Sequence, residues 1–433
     1  MKSGLAKPQS NVMLAEKKLS WKSFVPKGRK LRVEASGLFC ASNDPLQHTA
    51  DDVGRYFQFD DSTRVFEEIF YHHGFCGERV QQQAEKLRTT AMMVRQPALE
   101  LRDELLMLER EQRLSEMSAL IVNGRAGVGK SSVLNYALAC CHQAGWLVVC
   151  MPYAADWTLG LGGRSMLWGN EAYRLSDTSY LNRLPPQLEG RDLYENPDAS
   201  VNFLISHGLA QQDKFAQIKI KDPERIAYYG ELMGCSEPTL ADLLRSVVQD
   251  EHNSFEEFPV PVRPAYDFIM ELRTATELPV LLAIDGWNRF HQMTSAKEWN
   301  KSIPLHAQQM MVPNILGDLH AFGSGMENGL LLCAVTNSSA SPPGISKGLR
   351  KRWPQPYHFH RPQTLPEEMQ RMLRNVDPYS SLEVQRALEF YAFAGHLQNP
   401  GLEAQLETGE LRTKVSLMTG GVGSDIFKLC EQM

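Results

Sequence analysis

The chain has 433 residues, 43% of them hydrophobic and 22% charged, with a formal net charge of −6. That is a globular composition, long enough for two or three domains, and its acidic balance excludes a protein that coats nucleic acid through bulk charge alone. No apolar run approaches the roughly 20 residues needed to span a bilayer, and the eight cysteines (Cys40, Cys76, Cys140, Cys141, Cys150, Cys235, Cys333 and Cys430) form no C-x-x-C pair, which predicts free, buried thiols in a reducing compartment rather than a zinc site.

Residues 1–32 carry nine Lys/Arg against a single acid, Glu16, with weak apolar periodicity. A mitochondrial targeting segment, a basic tail lying on RNA or another polyanion, and a solvated disordered tail all fit this pattern. Targeting segments are usually Arg-rich, and this one is Lys-rich. We divide the chain into a basic tail (1–40), an arm with helices (41–117), a nucleotide-binding domain (118–363) with a long insertion (152–277), and a helical lid (364–433). In the arm, residues 33–75 read as extended with short elements. Apolar spacing then predicts a helix over 78–94, and Pro97 opens another over 97–110.

The stretch with the most chemistry follows. An apolar run, Ala119 to Asn123, leads into Gly124-Arg125-Ala126-Gly127-Val128-Gly129-Lys130-Ser131-Ser132. This fits G-x-x-x-x-G-K-[ST] in full, the loop that cradles phosphates between a buried strand and a helix. The glycines allow backbone angles closed to other residues and let successive N–H groups point at phosphate oxygens. The helix over 130–143 adds its positive N-terminal end. Lys130 is expected to reach the β- and γ-phosphates and Ser131 to hold Mg²⁺. Gly145 ends that helix, and 146–151 is a continuous apolar run, read as a second parallel strand. Strand, helix, strand at this spacing is a βαβ unit.

The stretch 152–190 reads as an irregular insertion with short helices, 236–250 and 265–276 as helices, and 252–263 as a loop. Leu278 to Gly286 is a buried strand ending in Asp285. An acid there meets the metal at the carboxyl end of the strand. Gly329 to Thr336 is a further buried strand. Thr336 and Asn337 stand where a γ-phosphate or an attacking water would be hydrogen-bonded, and a polar strand-end turn explains them equally well. Lys347, Arg350, Lys351 and Arg352 make a basic loop, read either as a solvated loop or as an RNA-phosphate contact. Residues 357–360 are a candidate last strand. A capping box, Thr364 to Glu367, opens what reads as an all-helical C-terminal segment.

From about residue 45 to 430 the chain resembles the death-associated-protein-three family, mitochondrial small-ribosomal-subunit proteins that bind guanine nucleotide. The resemblance lies in Met93 to Leu101, in Trp146 to Trp157, in Phe215 to Ile220 and in Leu282 to Asn288. It implies an α/β fold, a P-loop NTPase core of AAA+/STAND type with a helical lid. It also implies GTP or GDP as ligand and a place in the head of the mitochondrial ribosomal small subunit. The partners would be small-subunit ribosomal RNA and neighbouring mitochondrial ribosomal proteins, with a contact to the large subunit nearby. There is no N-K-x-D guanine-reading segment, so the base rests on the resemblance.

Two functions then compete. One is a ribosomal structural protein whose nucleotide is a stabiliser or slow switch; the other is a working NTPase that remodels a complex. Active AAA+ ATPases usually place Glu after the strand-end Asp to orient water, and here the residue is Gly286. No arginine finger can be assigned within the chain, although Arg125, Arg289 or a partner's arginine could serve. The missing water-orienting group favours binding with little or no hydrolysis, and no catalytic residue is assigned.

Overall fold

The computed structural model describes residues 37–59, 64–159, 171–174, 193–195, 197–250, 262–298, 304–319, 323, 325–336 and 365–433. Most of the basic tail, Asn337, the basic loop of Lys347 to Arg352, the candidate strand 357–360 and Thr364 lie outside these residues.

The apolar runs become strands. They are β3 (Ala119–Asn123), β4 (Leu147–Met151), β7 (Val280–Asp285) and β10 (Gly329–Ala334). With β11 (Leu373–Asn375) they form a five-stranded sheet in the order β11-β3-β10-β7-β4. All four pairings are parallel. Apart from the short edge strand β11, nearly every side chain along these strands is buried, which explains the unbroken apolar runs: a parallel sheet covered on both faces has no solvent side to alternate toward. Within each run the side chains still divide by parity. Ile121, Val149, Leu282 and Cys333 face one core, which contains residues from α6 (Pro197–Gly208), α9 (Leu240–Asp250) and α10 (Val262–Thr274). Leu120, Val122, Val148 and Ala283 face the other, which holds α4 (Lys130–Gln143) and the arm helix α3 (Gln96–Arg110). The insertion also holds α5 (Ala154–Leu159), α7 (Gln212–Phe215) and α8 (Pro223–Met233), and α11 (Met311–Gly317) follows β7; α5 and α11 pack against members of a group of four short strands. These are β5 (Glu171–Arg174), β6 (Tyr194–Glu195), β8 (Met293–Glu298) and β9 (Pro304–His306), which form a second sheet.

A third core joins the arm to the C-terminal helices α13 (Ser381–Phe393), α14 (Glu403–Glu407), α15 (Glu410–Thr419) and α16 (Gly423–Gln432). Here Tyr56 of the arm stacks on Phe390, ring centroids 3.8 Å apart. The arm contributes β1 (Tyr56–Phe57) antiparallel to β2 (Met92–Met93), with α1 (Tyr71–His73) and α2 (Glu78–Leu87) between them.

Several elements differ from the sequence expectation. The helix expected over 78–94 stops at Leu87. Arg88 turns left-handed (φ 52°), two β-branched threonines follow, and the chain re-enters as β2. The helix expected from 236 begins at Leu240, where Thr239 and Asp242 bond reciprocally. The segment expected to be all-helical holds α12 (Glu367–Met372) and then β11, which completes the parallel sheet beside β3. By contrast α4 occupies 130–143 as expected. All eight cysteines are free, six buried and two partly buried.

Candidate functional site

The loop from β3 to α4 sits at the carboxyl end of the sheet. Gly124, Gly127 and Gly129 carry φ values of 148°, 81° and 99°. Lys130, only 8% exposed, folds back so that its Nζ donates to the carbonyls of Gly124 and Arg125, both at 2.8 Å. Burial pushes its pKa down to about 8, against the pull of Asp285. One residue on, Ser131 Oγ donates to Asp285 Oδ2 at 2.8 Å. Asp285 ends β7, two strands from β3 with β10 between them. Burial raises its carboxyl to about 6, partly offset by the Ser131 hydroxyl and the Lys130 charge. Arg125 and Ala126 stand exposed at the loop tip, Val128 is buried, and Ser132 opens onto a cleft between arm and lid. Thr336, just after β10, is held on both sides by Asn288: its N–H donates to Asn288 Oδ1 and its carbonyl accepts from Nδ2, each at 2.8 Å. Gly286 has φ 78° and donates to Ala334 O at 2.8 Å.

Ser131 and Asp285 offer two oxygens on one side of the loop. Among the described residues no group of three or more His, Cys, Asp or Glu is placed to hold a metal. Two oxygen donors fit Mg²⁺, which is commonly held by one or two protein groups, better than zinc, which asks for three or four.

The far side of the loop is covered, and the sequence did not show by what. Arg95, 3% exposed, stands at the start of α3. Its Nη1 donates to Val128 O at 2.6 Å and its Nη2 to Asp377 O at 2.9 Å. Its Nε pairs with Glu383 Oε1 at 2.8 Å, and its guanidinium lies 4.5 Å from the centre of the Tyr379 ring. Ser424, at the start of α16, donates its N–H to Gly127 O at 3.0 Å, and a Cβ on Gly127 would collide with its hydroxyl. Val376 donates to Asn123 O at 2.7 Å. The loop is thereby clamped between arm and lid. One signal was present: Arg95 ends an apolar run, Met92-Met93-Val94, where a charge is costly unless paired. Ser424 and Val376 left no pattern.

A covered parallel sheet with a glycine loop at its carboxyl edge, gripped by an arm and a helical lid, makes this a mixed α/β protein with its site at the strand ends. A family model, mitochondrial ribosomal death-associated protein 3, matches residues 92–169 and 184–429. That is well over half of the chain, and the chain belongs to this family. It is a mitochondrial ribosomal protein of the small subunit, and the mitochondrial matrix is its compartment. No curated protein matches it. No helix among the described residues is long and apolar enough to cross a membrane.

Proposed function

We propose that this chain binds GTP or GDP with Mg²⁺ in the 124–132 loop. The nucleotide acts as a structural cofactor or slow switch within the small subunit. The contacts of Lys130 and Ser131 carry the reading. A buried ammonium donating to its own loop's carbonyls, beside a serine–aspartate pair, is a phosphate and metal seat closed on itself. The strand order supports a P-loop NTPase core of AAA+/STAND type, because the loop strand has β10, and not the Asp285 strand, as its neighbour.

Lys130 would turn from the two carbonyls to the β- and γ-phosphates, while the N–H groups of Gly127, Val128 and Gly129 and the start of α4 receive the oxygens. Ser131 and Asp285 would hold Mg²⁺, whose charge would offset that of the phosphates. The cleft beginning at Ser132, with Arg95, Thr89, Thr90, Tyr379 and Tyr391 among its walls, is the seat for the base. Its flat aromatic walls suit a purine, and family membership favours guanine. Thr336, fixed by Asn288, supplies a hydroxyl beside Gly286 for the γ-phosphate or a water. No carboxylate follows Asp285, so hydrolysis is slow. Small-subunit ribosomal RNA and neighbouring ribosomal proteins, with the large subunit close by, are the partners.

The test is to denature protein purified with its nucleotide and identify what is released. GTP or GDP, lost in Lys130→Ala, is the expected result. Wild-type protein that releases none and takes up none from solution overturns the reading.

A further inference from the structure

The metal corner has another wall, and it comes from outside the residues the family model matches. The turn between α1 and α2 runs through Phe75, Cys76 and Gly77. Three hydrogen bonds, to two residues, hold it against the site. Asn135, one helical turn beyond Ser131 on the same face of α4 and fully buried, accepts from Cys76 N–H at 2.8 Å and donates to Cys76 O at 3.0 Å. Gly77 N–H reaches Pro152 O, just past β4, at 3.5 Å. Gly77 itself lies flat on the corner. A Cβ there would stand 2.6 Å from both Ser131 Cβ and Oγ, and 3.4 Å from Asp285 Oδ2. Its φ of 86° with ψ 109° is open to glycine and strained for any other residue.

Each anchor has a partner in the site. The helix that carries Ser131 also carries Asn135; the strand end that Gly77 reaches is the neighbour of Asp285's strand. A side chain at position 77 would be driven into Ser131, and toward the carboxylate behind it, before touching Gly124 to Lys130. From this juxtaposition we infer that Gly77 is a positioning residue for the divalent cation. The arm turn sets the clearance around Ser131 Oγ and Asp285, and metal binding, unlike phosphate binding, depends on it. This rests on the nucleotide-binding reading above.

The experiment measures fluorescent GDP binding to the full chain with Mg²⁺ and with EDTA. In Gly77→Ala the affinity in EDTA changes far less than the affinity in Mg²⁺, because the added methyl meets Ser131 and Asp285 before Lys130 or the glycine amides. The strengthening by Mg²⁺ falls about 10- to 100-fold, the scale of a residue that orients a metal ligand. A merely structural role would lower both affinities together. Unchanged strengthening by Mg²⁺, or equal losses in EDTA and Mg²⁺, overturns the inference. A second measurement needs no variant: in wild-type protein with GDP, Mg²⁺ should slow hydrogen exchange of the amides of residues 74–78. Exchange there that ignores Mg²⁺ overturns the inference even if Gly77→Ala does not fold. GDP binding to wild type with no response at residue 77 refutes the arm's role alone; no GDP binding to wild type removes both.

Discussion

Lys130 and Asp285 are each displaced from their ordinary values in the direction that disfavours charge, and the two shifts give opposite slopes. The folded carboxyl titrates near 6 instead of 3.8. Between roughly those values the folded state keeps a proton the unfolded chain has released, so the nucleotide-free protein loses stability as pH rises through that window. Lys130 titrates near 8 instead of 10.5. The folded state sheds that proton first, so stability rises with pH between those two values. At neutral pH both groups are charged and incompletely solvated. Mg²⁺ needs the ionised carboxylate, so the strengthening of nucleotide binding by Mg²⁺ should fade as pH drops below about 6. Binding titrations from pH 5 to 8 check this; Asp285→Asn should abolish both the strengthening and its pH step. Gly286 belongs to the same scale. Its left-handed backbone explains the glycine where an active NTPase would carry a carboxylate. Gly286→Glu should cost about 1–2 kcal/mol without creating an NTPase. Phosphate release at about 1 s⁻¹ or faster in that variant would show that the missing carboxylate alone limits hydrolysis.

Among the elements, the join of arm, loop and lid is concentrated in Arg95. Its partner Glu383 is 4% exposed and also accepts the Ser380 N–H at 2.7 Å, closing the capping box that starts α13. Arg95→Ala would leave that carboxylate buried without its cation and should destabilise by about 3–5 kcal/mol. A urea melt reads this directly, and a loss below about 1 kcal/mol would show that the join is carried by the surrounding apolar contacts. What the sequence revealed follows from how local the cause is. The glycine loop, α4 and the apolar strands are dictated by neighbouring residues, and all were legible. The end of α2 was not, because Leu87 to Val94 keeps apolar spacing while Arg88 turns left-handed and the Tyr56 edge pulls Met92 and Met93 into a strand. The same holds for Gly77: a Gly-Phe-Cys-Gly turn is visible in the sequence, but its pressing on Ser131 is a matter of tertiary approach.

For the whole molecule, the core on the α4 side reaches the loop itself: Val128 packs in it with residues of β3, β7, the arm and the C-terminal segment. A ligand at the loop would therefore report on all of them. A nucleotide bound to the folded state alone stabilises it by about 2.7 kcal/mol at a hundredfold excess over Kd. Spread over the unfolding entropy of a chain this long, that corresponds to a rise in melting temperature of about 3 °C. Wild-type protein should show it with GDP and Mg²⁺, and Lys130→Ala should not. Lys130→Ala melting and assembling into the small subunit like wild type, having lost its nucleotide, would leave regulation as the better account.

Asn123 at the end of β3 bonds Asn375 of β11 at 3.1 Å across 252 positions of chain. Closing so long a loop adds little entropy beyond a shorter one, since the cost grows only with the logarithm of length, but it takes time. During synthesis β3 therefore emerges well before its partner on that side. Until residues 373–375 arrive, the strand that leads into the glycine loop has a bare, hydrophobic edge, the kind that pairs with foreign strands. The same late segment brings Val376 and, further on, Ser424, which hold the loop in shape. The growing polypeptide thus passes through a long interval in which this edge is exposed and the glycine loop is not yet clamped. Chaperone shelter matters most in that interval.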